Sequence, residues 1–149
     1  MALSAIAYSG PWLLHAILSV WLIICAVEDW RQQEVSNWLT LPPFILALFH
    51  ALEQGGEALA LTTITLIVFL TARAIWRAQG AADIKVLVVL ASFWPLALYA
   101  AMAMTALWSL ARILHRQGKV AYAGVPPMAV GAVFVLILDL LSVISLYPR

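Results

Sequence analysis

The chain is poor in charge. Of its 149 residues, seven are acidic and eight basic, and charged side chains make up 10% of the whole. Soluble domains carry about a quarter. The formal net charge is +1, so there is no basic footprint for nucleic acid and that class of function is excluded. Cysteine is nearly absent. Cys25 stands alone, so it forms no internal disulfide and no Cys-x-x-Cys metal pair exists. Met1 to Ser9 contains no Lys or Arg. Without a basic n-region, no cleavable signal peptide is expected, and the first helix is read as its own insertion signal. No repeat, low-complexity tract or second domain is visible, so residues 1–149 read as one domain.

What fills the space is apolar. Hydrophobic residues make up 65% of the chain and the mean hydropathy is +1.01. The apolar runs are long and continuous rather than alternating, which predicts an all-α integral membrane protein. Six transmembrane helices are expected. The first runs from Pro11 to Val27, with Pro at a helix start, where its missing N–H costs little. A polar loop, Glu28 to Asn37, leads to the second span, Trp38 to Leu52, in which Pro42-Pro43 predict a kink or a late helix onset. The third span is Ala58 to Trp76. Asp83 to Arg116, as one helix, would run about 50 Å against roughly 30 Å of hydrocarbon. Pro95 is expected to break it into a short fourth helix, Ile84 to Phe93, and a fifth, Leu96 to Ile113. A basic loop follows, then a sixth helix from Val125 to Tyr147.

Charge placement orients these helices. With the N-terminus outside, the cytoplasmic ends carry Arg31, Arg73, Arg77, Lys85, Arg112, Arg116 and Lys119, and only Arg149 falls outside. That is the positive-inside pattern. The fourth helix covers half a bilayer, so its start, Asp83, is expected to be recessed in a hydrated cavity with a raised pKa.

In this topology Asp29 and Asp83 lie on the same face of the membrane. Two carboxylates brought close share one proton. One can then activate water while the other donates a proton, which is peptide-bond hydrolysis without a metal. The structural alternative is that each marks a helix end, with Asp83 an N-cap.

The residues around them carry a resemblance. Asp29-Trp30-Arg31-Gln32-Gln33-Glu34-Val35-Ser36-Asn37 resembles the first motif of the type IV prepilin peptidases, an aspartate followed by Ile-Pro-Asn. Gly80-Ala81-Ala82-Asp83-Ile84-Lys85 resembles their Gly-x-Gly-Asp-x-Lys motif, which names the GxGD membrane aspartyl proteases. Gly124-Val125-Pro126-Pro127 resembles the opening of their last helix. Two departures stand out: Ser36 in place of a proline and Ala82 in place of the second glycine.

The resemblance implies a catalytic dyad of Asp29 and Asp83, and no cofactor or metal. Asn37, Gly80, Lys85, Pro126 and Pro127 are implied as supporting or substrate-binding residues. The implied partners are prepilin-like precursors, each with a basic leader in the cytoplasm and an apolar helix in the lipid bilayer. The chain lacks the cysteine-rich insert of the bifunctional members and resembles the short, peptidase-only ones, including those serving tight-adherence and Flp-type pili. A catalytically inactive relative that acts as an assembly scaffold is the alternative; a small proton-coupled transporter ranks below both.

The remaining polar residues have simpler readings. Lys85 sits about 200° around the helix from Asp83 and need not touch it. Asn37 is expected to cap the second helix, and Glu28 and Glu34 to be solvated loop charges. Asp139, mid-helix in an apolar run, is either paired with His15 or bonded to a hydroxyl such as Ser142 or Thr105.

Overall fold

The computed structural model describes residues 2–76, 80–114 and 124–146. Among these the protein is helical, in six helices: α1 (Ala2–Gln32), α2 (Asn37–Gln54), α3 (Gly56–Trp76), α4 (Ala81–Phe93), α5 (Pro95–Leu114) and α6 (Val125–Leu146). Most of the basic loop expected before α6 lies outside the described residues.

Two boundaries correct the sequence reading. The first helix does not start at Pro11 or stop at Val27. It runs through to Gln32, so Asp29 sits in its last turns rather than in a loop. Apolar length marks a possible span, but backbone hydrogen bonding continues as long as residues favour it, and Arg31 suits the negative C-terminal end of the helix. The helix stops where Gln33 turns left-handed at φ 56° and its N–H closes on the Asp29 carbonyl at 2.8 Å.

The second helix does not start late. It begins at Asn37, with Ser36 as N-cap accepting from the Trp38 N–H at 3.3 Å, and Pro42-Pro43 lie inside it. Pro43 has no N–H for the Leu39 carbonyl four residues back. That carbonyl instead accepts the indole N–H of Trp21 on α1 at 3.0 Å. At the other end, Gly55 and Gly56 take left-handed φ values of 63° and 46° to turn the chain into α3.

The break expected around Pro95 is present. Trp94 separates α4 from α5, its N–H still bonded to the Leu90 carbonyl at 2.8 Å. At 13 residues, α4 is about 20 Å long. It is also the most enclosed element: Asp83, Ile84 and every residue from Val86 to Ser92 are buried. The core forms around it from Leu87, Leu90, Leu98, Met128 and, on α1, Leu22 and Cys25.

Packing divides the molecule. α1 packs broadly on α6, and α6 on α5; α2 and α3 both pack on α4. Between these two groups of three, the chief contacts are those of α4 with α5 and a smaller one with α6. At the far end of α4, His15 of α1 stacks on Trp94 with ring centroids 4.2 Å apart and meets Asp139 of α6 at 3.4 Å. Of the two alternatives for Asp139, the pair with His15 is formed, while the Thr105 hydroxyl donates to the Ala101 carbonyl of its own helix.

Gly131 sets the closeness of α5 and α6. A Cβ there would lie 2.7 Å from the carbonyl carbon and oxygen of Ala100, and neither backbone can yield locally. Gly131→Ala is expected to cost about 1–3 kcal/mol. Thermal unfolding of the purified protein in detergent checks this; an unchanged midpoint would mean that the helices separate freely.

Candidate active site

Asp29 reaches the site from the C-terminal end of α1, Asp83 from the first turn of α4. The two positions are far apart in sequence, but both carboxylates end at one dipeptide, Gly124-Val125, where α6 begins. The Val125 N–H donates to Asp29 Oδ2 at 3.0 Å. A Cβ built on Gly124 would lie 2.5 Å from Oδ1 and 2.6 Å from Oδ2 of Asp83. The missing side chain of Gly124 is the space that the Asp83 carboxylate occupies. Asp29 is 6% exposed and Asp83 8%.

Local chemistry explains each placement. Asp83 is not the N-cap. The cap is Gly80, with Asp83 three residues on, so its carboxylate reaches back to accept the Gly80 N–H at 3.1 Å. A glycine has no side chain to return the bond, so this is half of a capping box. The positive end of the α4 dipole supports the same charge. At α6, Pro126 and Pro127 occupy the first turn, where N–H groups have no helical partner and a proline loses nothing. With those two donors removed, the Val125 N–H, with that of Gly124 beside it, is presented to Asp29.

Burial, opposed by the Gly80 N–H and aided by the charge of Asp29, raises the Asp83 carboxyl to about 6. A proton is therefore held on this pair at pH values where an ordinary aspartate has lost it.

The carboxylates line a cleft of about 410 Å³ with Gln33, Glu34, Asn37, Arg73 and Ala82. Its lining is the polar one. Two larger grooves, each about 570 Å³, run on the outer faces of α1–α6 and of α2, and neither holds an acid.

A sequence model of the type IV leader peptidase family matches residues 16–116. The chain belongs to that family. No curated protein and no solved structure matches it. The matched stretch includes Asp29 and Asp83 of this leader peptidase relative but ends before Gly124-Val125, the dipeptide on which both carboxylates close.

The other expected residues are placed as follows. Lys85 does not touch Asp83; its ammonium donates to Asn37 Oδ1 and, at 3.5 Å, to Thr40 Oγ1. Asn37 is consequently not the cap of α2 but the first residue inside it. Glu28 is not a free loop charge: its Oε2 accepts the Ser36 N–H at 3.2 Å. Pro126 is half-buried and Pro127 buried in α6, behind the dipeptide that meets the acids.

The departures from the family motifs are also accounted for. Ala82 lies within α4 and is not among the residues with positive φ, so this position does not use a glycine's freedom. Ser36 has φ −56°, a value that proline also adopts. Gly124 and Val125 are read from sequence only as part of a motif and not as site residues, and Thr40 and, as a structural contact, Glu28 are missed. A glycine directly before Val-Pro-Pro was the one available signal for the first of these.

Proposed function

We propose that the protein is an intramembrane aspartic endopeptidase that removes the basic leader from type IV prepilin-like precursors at the cytoplasmic membrane face. The observation that carries this reading is the closure of Asp29 and Asp83 on the Gly124-Val125 backbone within one polar cleft. Membership of the leader peptidase family supports it. Trp12–Gln32 in α1 and Gly56–Ile75 in α3 are long and apolar enough to cross a membrane. Six crossings with the N-terminus outside put both acids at the inner interface of the cytoplasmic membrane, beside the positive-inside residues.

The dyad divides the work. Asp29, held by the Val125 N–H, is the carboxylate that takes a proton from water as the water oxygen attacks the scissile carbonyl carbon. Asp83 carries the shared proton and gives it to the carbonyl oxygen. As the tetrahedral intermediate collapses, the C–N bond breaks, the proton gathered by Asp29 passes to the leaving amine, and one hydroxyl of the intermediate returns its proton to Asp83 as the new carboxyl C=O forms. Glu34 at the cleft mouth suits a basic leader, and the apolar helix of the precursor stays in lipid.

Asp29→Asn and Asp83→Asn are each expected to abolish processing of a co-expressed prepilin, followed by gel shift. Normal cleavage by either membrane-inserted variant would refute the dyad. Precursor that co-purifies uncut with the wild type, and equally with Asp29→Asn, would make the chain a binding scaffold instead.

A further inference from the structure

The two aspartates stand on different halves of the molecule. Asp29 belongs to the α1, α5, α6 group and Asp83 to the α2, α3, α4 group, and α1 packs broadly on α6 alone. A link between α1 and α2 close to the acids therefore has leverage on their separation. One such link exists beside them. Glu28, the neighbour of Asp29, accepts the Ser36 N–H at 3.2 Å. The Ser36 carbonyl then accepts from the Thr40 N–H at 3.2 Å and from the Thr40 hydroxyl at 3.3 Å. Thr40, fully buried, is in turn contacted by the Lys85 ammonium, which also holds Asn37. Lys85 is two residues after Asp83. The chain of contacts thus begins next to one acid and ends next to the other, without touching either carboxylate.

We propose that Glu28 is a positioning residue: through the Ser36 N–H and the Thr40–Lys85 contact it sets how α1 stands against α2 and α4, and so how Asp29 faces Asp83. The proposal rests on the peptidase reading for its effect on rate, but not for its effect on geometry. It also explains why the turn tolerates a serine at φ −56°. Proline would hold that φ by its ring; serine leaves the N–H free, and Glu28 uses it.

The test is a double-mutant cycle between Glu28→Ala and Ser36→Pro in the full chain. With Ser36 present, Glu28→Ala is expected to lower kcat for a purified prepilin about tenfold to a hundredfold, the size of effect that a small misplacement of a catalytic group produces. KM is expected to change little. Glu28→Gln keeps an oxygen acceptor and is expected to recover most of the rate. In the Ser36→Pro background there is no N–H to accept, so Glu28→Ala is expected to cost less than about twofold more, within the usual tolerance for independent sites. An equal loss in both backgrounds, or no loss with Ser36 present, overturns the proposal.

A second measurement needs no cleavage. Spin labels at Val27 and Leu41, both exposed, report the α1–α2 distance by pulsed electron resonance. The distribution is expected to broaden with Glu28→Ala and to narrow again when Ser36→Pro is added; an unchanged distribution overturns the proposal. A wild-type chain that cleaves no prepilin sinks the peptidase reading and leaves the distance measurement to decide the role of Glu28.

Discussion

Gly124→Ala is expected to lower prepilin processing by about a hundredfold, although both aspartates remain. The added methyl would meet Asp83 Oδ1, Oδ2 and Cγ at 2.5, 2.6 and 2.7 Å. To reach ordinary contact the carboxylate or the start of α6 must move by about 1 Å, a displacement of the kind that costs about two orders of magnitude when it falls on a reacting group. Both escapes do damage. Moving Asp83 breaks its bond from Gly80, and moving α6 carries away the Val125 N–H that holds Asp29. Gly80→Ala is the informative comparison. A Cβ there would lie 3.5 Å from Asp83 Oδ2, in ordinary contact, and alanine keeps the N–H. Its loss of rate is expected to be at least an order of magnitude smaller. Single-turnover cleavage in detergent measures both. A Gly124→Ala enzyme as fast as the wild type would mean that the acids do not work in the arrangement described.

The second large effect is on pH. In the proposed mechanism Asp83 must be protonated to serve as the acid, and its carboxyl is pushed up to about 6, chiefly by burial. Activity is therefore present below that value and lost as pH rises through it. Between pH 5.5 and 7.5 the protonated fraction falls about 25-fold, and kcat/KM of the free enzyme is expected to follow it. A profile flat over this window would place the proton elsewhere. Stability moves in the same sense. A folded-state value above the ordinary aspartate value of 3.8 means that the ionised carboxyl is disfavoured in the fold. The penalty is absent below about pH 4, develops between 4 and 6, and is fully present above, at about 3 kcal/mol. Asp83→Asn, which can still accept the Gly80 N–H, is expected to unfold at a higher temperature than the wild type at pH 8 and to lose that advantage at pH 4.

Local rules made the helices and the family legible. Apolar runs ended by charged or glycine-containing turns gave six helices, and Pro95 announced the break before α5 because no proline can continue a helix without loss. The aspartates were legible through their motifs. Other features depended on contacts that no local rule contains. Asp29 lies inside α1 because helical bonding outlasts apolar composition there. Pro42 and Pro43 did not delay α2, since the carbonyl that Pro43 leaves open is satisfied by Trp21. Glu28 looked like a solvated charge because its acceptor role depends on how the turn folds back. Gly124 had no φ requirement to betray it; its value is empty volume, and volume is a property of the partner that fills it.

The hydrogen bond from the Val125 N–H to Asp29 spans 96 residues of chain. During synthesis, α1 through α5 are made before that donor exists. Until α6 follows, Asp29 has no Val125 N–H to hold it and Asp83 has no Gly124 beside it. On the peptidase reading, an unfinished chain therefore has its two acids but lacks the backbone contacts that hold them until the last helix is made.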